Sequence, residues 1–201
     1  MNDTREHILL TALQLFLQNN FKEVTMRQIV DKSGMSKGAF YHYFESKEQV
    51  FAEVIDHFFL NLITADYAQF SQQSLKQFYN DILHKTAENI AAPASIDPNT
   101  ISPNNNYYHL IFDAMRMLPG FKEKQLEQQR QQLEAWKNVV HIARRHGEIH
   151  TLMTNEQVAK LFIFLSDGLS INLVMNDSVN KANAQAELKL LWDGLYTTLK
   201  L

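Results

Sequence analysis

The chain has 201 residues, 45% of them hydrophobic and 20% charged, with a net charge of −3 and no cysteine. This suits one sizeable core, or a small head on a larger body, and excludes disulfides, thiol nucleophiles and thiolate metal sites. Residues 1–47 hold six Lys or Arg (Arg5, Lys22, Arg27, Lys32, Lys37, Lys47) against five acids (Asp3, Glu6, Glu23, Asp31, Glu45), while the remainder is net −4, so an indiscriminate nucleic-acid coat is disfavoured.

Apolar residues recur at helical spacing along nearly the whole chain, without an alternating strand pattern, and predict an all-α fold of about nine helices. The first is placed at about Thr4 to Gln18, with Ile8, Leu9, Ala12, Leu13, Phe16 and Leu17 on one buried stripe. The second opens at Thr25, where TMRQ has the form of a capping box: the Thr25 hydroxyl accepts from the Gln28 N–H, and the Gln28 side chain reaches back. Gly34 stands where a left-handed residue ends a helix, and Ser36 caps a third helix two residues later, a tight helix-turn-helix.

On that third helix, of about eight residues by its pattern, residues follow one another at about 100°. Phe40 and Phe44 then face the core, Gly38 and His42 point the opposite way, Ala39 and Tyr41 flank them, and Lys37 and Tyr43 lie at the margins. Ser46 opens a fourth helix with the box SKEQ and the stripe Val50, Phe51, Val54, Ile55, Phe58, Phe59 and Leu62. Further helices are predicted at about Ser74–Ala91, from Tyr107 to near LPG, at Phe121–His146, Asn155–Met175 and Ala182–Leu201. Three prolines make Ala92–Asn106 a long loop. A three-helix head, 1–47, is thereby set off from a helical body, 48–201.

The head resembles that of the tetracycline-repressor (TetR) family of bacterial transcription regulators. The resemblance is carried by T-x-x-I-V in the second helix, the S-G-M-S-K-G turn, Y-H-Y-F in the third helix and S-K-E opening the fourth; over the rest of the chain it is one of outline, with GEI at 147–149 and FLSDGL at 164–169. It implies a homodimeric regulator, most simply a repressor, that binds double-stranded DNA at a palindromic operator and responds to a small molecule. It also implies that the last two helices form a four-helix bundle with their copies.

The residue chemistry fits that implication. Gly38 and Ala39 are small enough to let the backbone approach base edges in a major groove, with Ser36 and Lys37 beside them. Tyr41, His42 and Tyr43 suit phosphates or a thymine methyl. Thr25 and Lys47 sit at helix N-termini that favour a phosphate oxygen, and Met26 and Arg27 occupy the first turn of the second helix. For the interface between copies the expected residues are Phe162, Leu165, Leu169, Leu188, Leu191, Trp192 and Leu195, with Ser166, Gly168 and Ser170 allowing close approach. An excess of large side chains between residues 58 and 136 gives the candidates for an apolar or aromatic ligand: Phe58, Phe59, Leu62, Phe78, Ile82, Tyr107, Tyr108, Phe112, Met115 and Trp136.

The rival reading is a structural DNA-binding dimer controlled by a protein partner or by DNA itself, without a small-molecule pocket. Neither reading includes catalysis, because no phosphate-cradling glycine loop, nucleophile elbow or convergent acid and base pattern is present. No metal or other cofactor is expected: in HIARRHGEIH, Gly147 breaks the helix between His146 and His150 and no acidic pair stands close. The opening MNDTREHILL lacks a signal-peptide layout, and LFIFLSDGLSINLVM is interrupted by Asp167 and shorter than the roughly 20 residues of a membrane span, so a cytoplasmic protein without a membrane partner is expected.

Overall fold

The structure, a computed structural model, describes residues 3–60, 66–89, 107–175 and 181–200. Nine α-helices and no strand occur among the described residues, as the periodicity predicts. They are α1 (Asp3–Gln18), α2 (Met26–Ser33), α3 (Lys37–Tyr41), α4 (Lys47–Val54), α5 (Leu75–Asn89), α6 (Tyr107–Met117), α7 (Phe121–Arg145), α8 (Asn155–Met175) and α9 (Lys181–Thr198). A π-helical turn, Ile55–Leu60, prolongs α4, and a 3-10 turn covers Tyr67–Gln69. The proline-containing stretch 92–106 and Leu62 lie outside the described residues, as do the side chains of Phe59 and Tyr107.

The chain divides into two compact units. The first holds α1 to α4, the π-helical turn, α6 and the first turn of α7. Its core is built from the α1 stripe of Ile8, Leu9, Ala12, Leu13, Phe16 and Leu17 with Val24, Ile29, Phe40, Phe44, Val50, Phe51 and Val54, all buried. Phe51 meets Phe16 and Phe21 edge-on, with ring centroids 5.2 and 4.9 Å apart, the geometry that brings a ring's positive edge to another's negative face.

The second unit holds α5, α7 from Leu126 onward, α8 and α9. Trp136 is the hub of its core: Phe78 and Trp192 contact it at 5.0 and 5.4 Å and Phe162 stacks on it at 5.0 Å. The Trp192 indole N–H, buried with the ring, donates to the Phe162 carbonyl at 2.9 Å, so no polar atom of the cluster is left bare there. α8 starts with a capping box that TNEQ spells out, Thr154 to Gln157, with both reciprocal bonds formed at 3.1 and 2.7 Å.

α7 ends where Gly147 takes φ +69°, which lets the Glu148 N–H reach back to the Ala143 carbonyl at 2.8 Å. That turn delivers the Glu148 carboxylate to the start of α5. It accepts from the backbone N–H groups of Leu75 and Lys76 (2.9 and 3.0 Å), from the Ser74 hydroxyl (2.9 Å) and from the Tyr196 hydroxyl (3.0 Å). Burial pushes this carboxyl up, but the donors, the Lys76 N–H foremost, outweigh it and hold the group below its ordinary range.

Candidate nucleic-acid interface

α2 begins where the Thr25 hydroxyl accepts from the Gln28 N–H at 3.2 Å and the Gln28 side-chain oxygen Oε1 accepts from the Thr25 N–H at 2.7 Å. It stops at Gly34, φ +69°, and the Ser36 hydroxyl then accepts from the Ala39 N–H at 3.3 Å to start α3. Each signal read from the sequence therefore forms. One detail differs at α4: Ser46 caps Gln49 at 3.1 Å, but the Gln49 side chain reaches back to the N–H of Glu45, one residue before the cap.

α3 has five residues and not the eight that its pattern predicts. The N–H groups of Tyr43 and Phe44 both converge on the Phe40 carbonyl, at 2.9 and 3.2 Å, and this tightened turn ends the helix. His42 and Tyr43 therefore project from the turn after α3. Phe40 and Phe44 fix the segment by burying both rings in the head core. Arg5 closes it from outside: its guanidinium pairs with Glu53 through contacts of 2.6 to 3.0 Å, lies 4.6 Å over the Phe44 ring and reaches the Tyr43 carbonyl at 3.5 Å.

This anchoring leaves one polar and aromatic surface in solvent. Thr25, Arg27, Ser36, Lys37, Gly38, Ala39, Tyr41 and His42 are exposed, and Met26, Tyr43 and Lys47 are half-buried. The Arg27 side chain is 90% exposed and 3.5 Å from an exposed partner, Asp31, a pairing too solvated to hold it. Around Gly38, no heavy atom other than those of its chain neighbours and its own helix backbone lies within 4 Å of the position a Cβ would take.

Lys47 is placed differently from a free phosphate ligand. Its ammonium donates to the Phe21 carbonyl at 2.8 Å and the Val24 carbonyl at 2.6 Å, and lies 4.2 Å from the centre of the Phe21 ring. Two of its three N–H groups are thus spent inside the head. Sequence reasoning also missed Arg5 and Asp113. The second was signalled, since Asp113 shares the apolar face of α6 with Leu110 and Ala114, where an acid must have a partner.

The other candidates are placed as follows. Of those for a ligand, Phe58, Tyr108, Phe112 and Met115 belong to the first unit and Phe78, Ile82 and Trp136 to the second. Phe58, Phe78 and Trp136 are buried, Ile82 and Tyr108 are half-buried, and Phe112 and Met115 are exposed. An open groove of about 240 Å³ between α5 and α9, lined by Asn80, Leu83, His84, Gln185, Ala186 and Lys189, includes none of them. Among the candidates for an interface between copies, Phe162 and Trp192 are consumed by the core of their own protomer. Leu165, Leu169, Leu188 and Leu195 are half-buried, and Leu191 is exposed. Among the described residues no helix is long and apolar enough to cross a membrane.

Comparison with known proteins bears on the same segment. The family described as "Bacterial regulatory proteins, tetR family" matches residues 8–54. The transcriptional repressor NemR of Escherichia coli K12 is 47% identical over 47 residues, 23% of this chain and 24% of that protein. The repressor KstR2 of Mycolicibacterium smegmatis is 39% identical over 54 residues, 27% and 26% of the two chains, so the match spans about a quarter of such curated relatives. Solved structures match over nearly the full length: NalD, the secondary repressor of the MexAB-OprM multidrug efflux pump in Pseudomonas aeruginosa, has a TM-score of 0.62 at 18% identity, covering 98% of this chain and 96% of its own. The MbdR regulator from Azoarcus sp. CIB reaches 0.66 at 15% identity, covering 96% and 97%. At these identities the structural likeness is one of fold.

Proposed function

Because this chain belongs, through its head, to the tetR family of bacterial regulatory proteins, we propose that it is a DNA-binding transcription regulator, a repressor that holds a palindromic operator as a homodimer in the cytoplasm. In this reading residues 1–47 bind double-stranded DNA and residues 48–201 sense and dimerise. Gly38 carries it. A glycine within a helix costs up to about 1 kcal/mol relative to alanine, and nothing in the chain occupies the space that its missing Cβ leaves. The packing of the head therefore does not require glycine there, and the close approach of a base edge to the backbone is a use that it suits.

Ala39, Tyr41, His42 and Tyr43 then border the bases, while Thr25, Met26, Arg27, Ser36, Lys37 and the remaining N–H of Lys47 meet the backbone. The test is Gly38→Ala, assayed on a duplex selected from random sequence. The protein should fold as stably as the parent or more so, and lose affinity and discrimination for that duplex. Undiminished binding by Gly38→Ala, or indifference of the parent to duplex sequence across a range of salt, would refute the reading.

A surface of α8 and α9 supports the homodimer. Leu161, Phe164, Gly168, Ile171 and Met175 follow one another at helical spacing, all exposed, with Leu190, Leu191 and Gly194 exposed on α9. Release by a small apolar or aromatic molecule is the finer part of the proposal. It is supported by Phe112 and Met115, large apolar side chains left in solvent on α6 beside Tyr108. Compounds of that class should raise the melting temperature and weaken operator binding; a tenfold loss needs about 1.4 kcal/mol of difference in affinity for the two states.

A further inference from the structure

Asp167 is the only charged residue of α8 between Leu161 and Met175. On a helix, residues three and four apart are neighbours, so it stands between Phe164 and Ile171, which are 62% and 47% exposed, and next to Gly168. Asp167 is itself exposed, on the outward apolar face of α8. In a lone protomer water hydrates its carboxylate, and a second copy seated on that face removes the water.

The surroundings offer no counter-charge in its place. Among the described side chains of α8 and α9 the cations are Lys160 and Lys189, and each is paired with an acid one turn away, Glu156 at 2.5 Å and Asp193. From the turn before α5, the Tyr67 phenol feels Asp167: burial first, and then the Asp167 charge, push it up to about 12, with the Gln132 side chain of α7 acting the other way. Tyr67 is therefore neutral near pH 7 and brings no charge to the site. Although Asp167 as a residue is exposed, partial desolvation already pushes its carboxyl up from the ordinary value.

We infer that Asp167 is a proton-linked residue of the interface between copies: protomers that meet on the outer face of α8 take up protons there, so the homodimer is tightest in acid and loosens as pH rises. This rests on the proposed homodimer. A two-fold interface presents Asp167 twice. An ionised carboxylate taken out of water without a counter-charge is strongly disfavoured, and the group neutralises instead. Its pKa in the dimer then lies above that in the lone protomer. The resulting advantage for association is complete below the lone protomer's value and is lost as pH rises through the dimer's value.

The experiment follows the dissociation constant of the full chain, labelled with a fluorophore at its N-terminal amine, by dilution between about pH 5 and about pH 8. In the parent it should rise at least about tenfold over that range, which needs a shift of only about half a unit at each of the two carboxylates. Asp167→Asn keeps the shape and removes the titration. At the alkaline end its dissociation constant should lie at least about tenfold below the parent's, and the rise with pH should disappear; Asp167→Ser, a second variant, should also lose the rise. Where dilution to picomolar leaves the parent dimeric, Leu190→Ala in all three chains brings the dissociation constant into range. A parent that is monomeric at micromolar concentration would defeat the homodimer reading and this inference with it. A dimeric parent whose dissociation constant is level with pH, or rises equally in Asp167→Asn, would overturn the inference alone. A weaker dimer in Asp167→Asn would also overturn it, since that is what the loss of an ion pair across the interface produces.

Discussion

Lys47 stands at the first position of α4, where free N–H groups and the helix dipole favour an anion, yet its ammonium turns inward to the carbonyls of Phe21 and Val24. Both acceptors belong to the turn between α1 and α2. Lys47→Met keeps the stem over the Phe21 ring and deletes the two bonds, so the head should lose about 1–3 kcal/mol in urea unfolding. The salt dependence of duplex binding should then change by less than about one unit of slope; a full unit would mean that Lys47 neutralises a phosphate outright. Arg5 has a comparable role at the other end of the recognition segment. Its bidentate pairing with Glu53, each about one-third exposed, is one that a lysine cannot reproduce.

Helix boundaries in this chain are set by residues both near and far in sequence. Thr25, Ser36 and Thr154 cap their own helices through local bonds, and so does Ser74, whose hydroxyl accepts from the Gln77 N–H at 3.2 Å, but α5 also takes a second, distant cap from Glu148, 73 residues beyond Leu75. Glu148→Gln puts an amide N–H₂ against a donor cluster and should lower stability by about 1–3 kcal/mol. The same site predicts a pH dependence. The folded carboxyl titrates below the ordinary value of about 4.3, so between the two values the unfolded chain binds more protons. The contribution is complete above the ordinary value and is lost as pH falls through the depressed one. Thermal unfolding from pH 7 to pH 3 should therefore show a steeper acid loss in the parent than in Glu148→Gln. Tyr196 feels the reverse: burial first, and then its bond to Glu148, push its phenol up to about 12.

For the molecule as a whole, the decisive surface is the outer face of α8 and α9. Phe164, 62% exposed, and Met175, 78% exposed, stand among leucines and isoleucine with no covering element among the described residues. A charge at Phe164 or Leu190 should yield a folded monomer by sedimentation at micromolar concentration, because neither side chain supports the protomer's own core. A charge at Trp192 should instead unfold the second unit, since the ring is buried against Tyr79, Trp136 and Phe162. A monomeric parent protein at that concentration would count against the homodimer.

Helix number, the order of caps and stops, and the inward faces of α1 and α4 were all readable from the chain, because a helix is made by bonds between residues four apart and its stripe repeats at a fixed period. The polar and aromatic surface around α3 was readable for the same reason: Phe40 and Phe44 claim the core and leave the rest outside. Spacing could not say that Lys47 faces inward, that Asp113 holds the Phe21 N–H, or that Glu148 caps α5, because each bond joins segments separated by 23 to 92 residues. Nor could it separate the apolar residues of α8 and α9 into two classes. Phe162 and Trp192 look the same in sequence as Phe164 and Leu190, and only the packing of three helices around Trp136 decides which of them are buried and which remain to meet another surface.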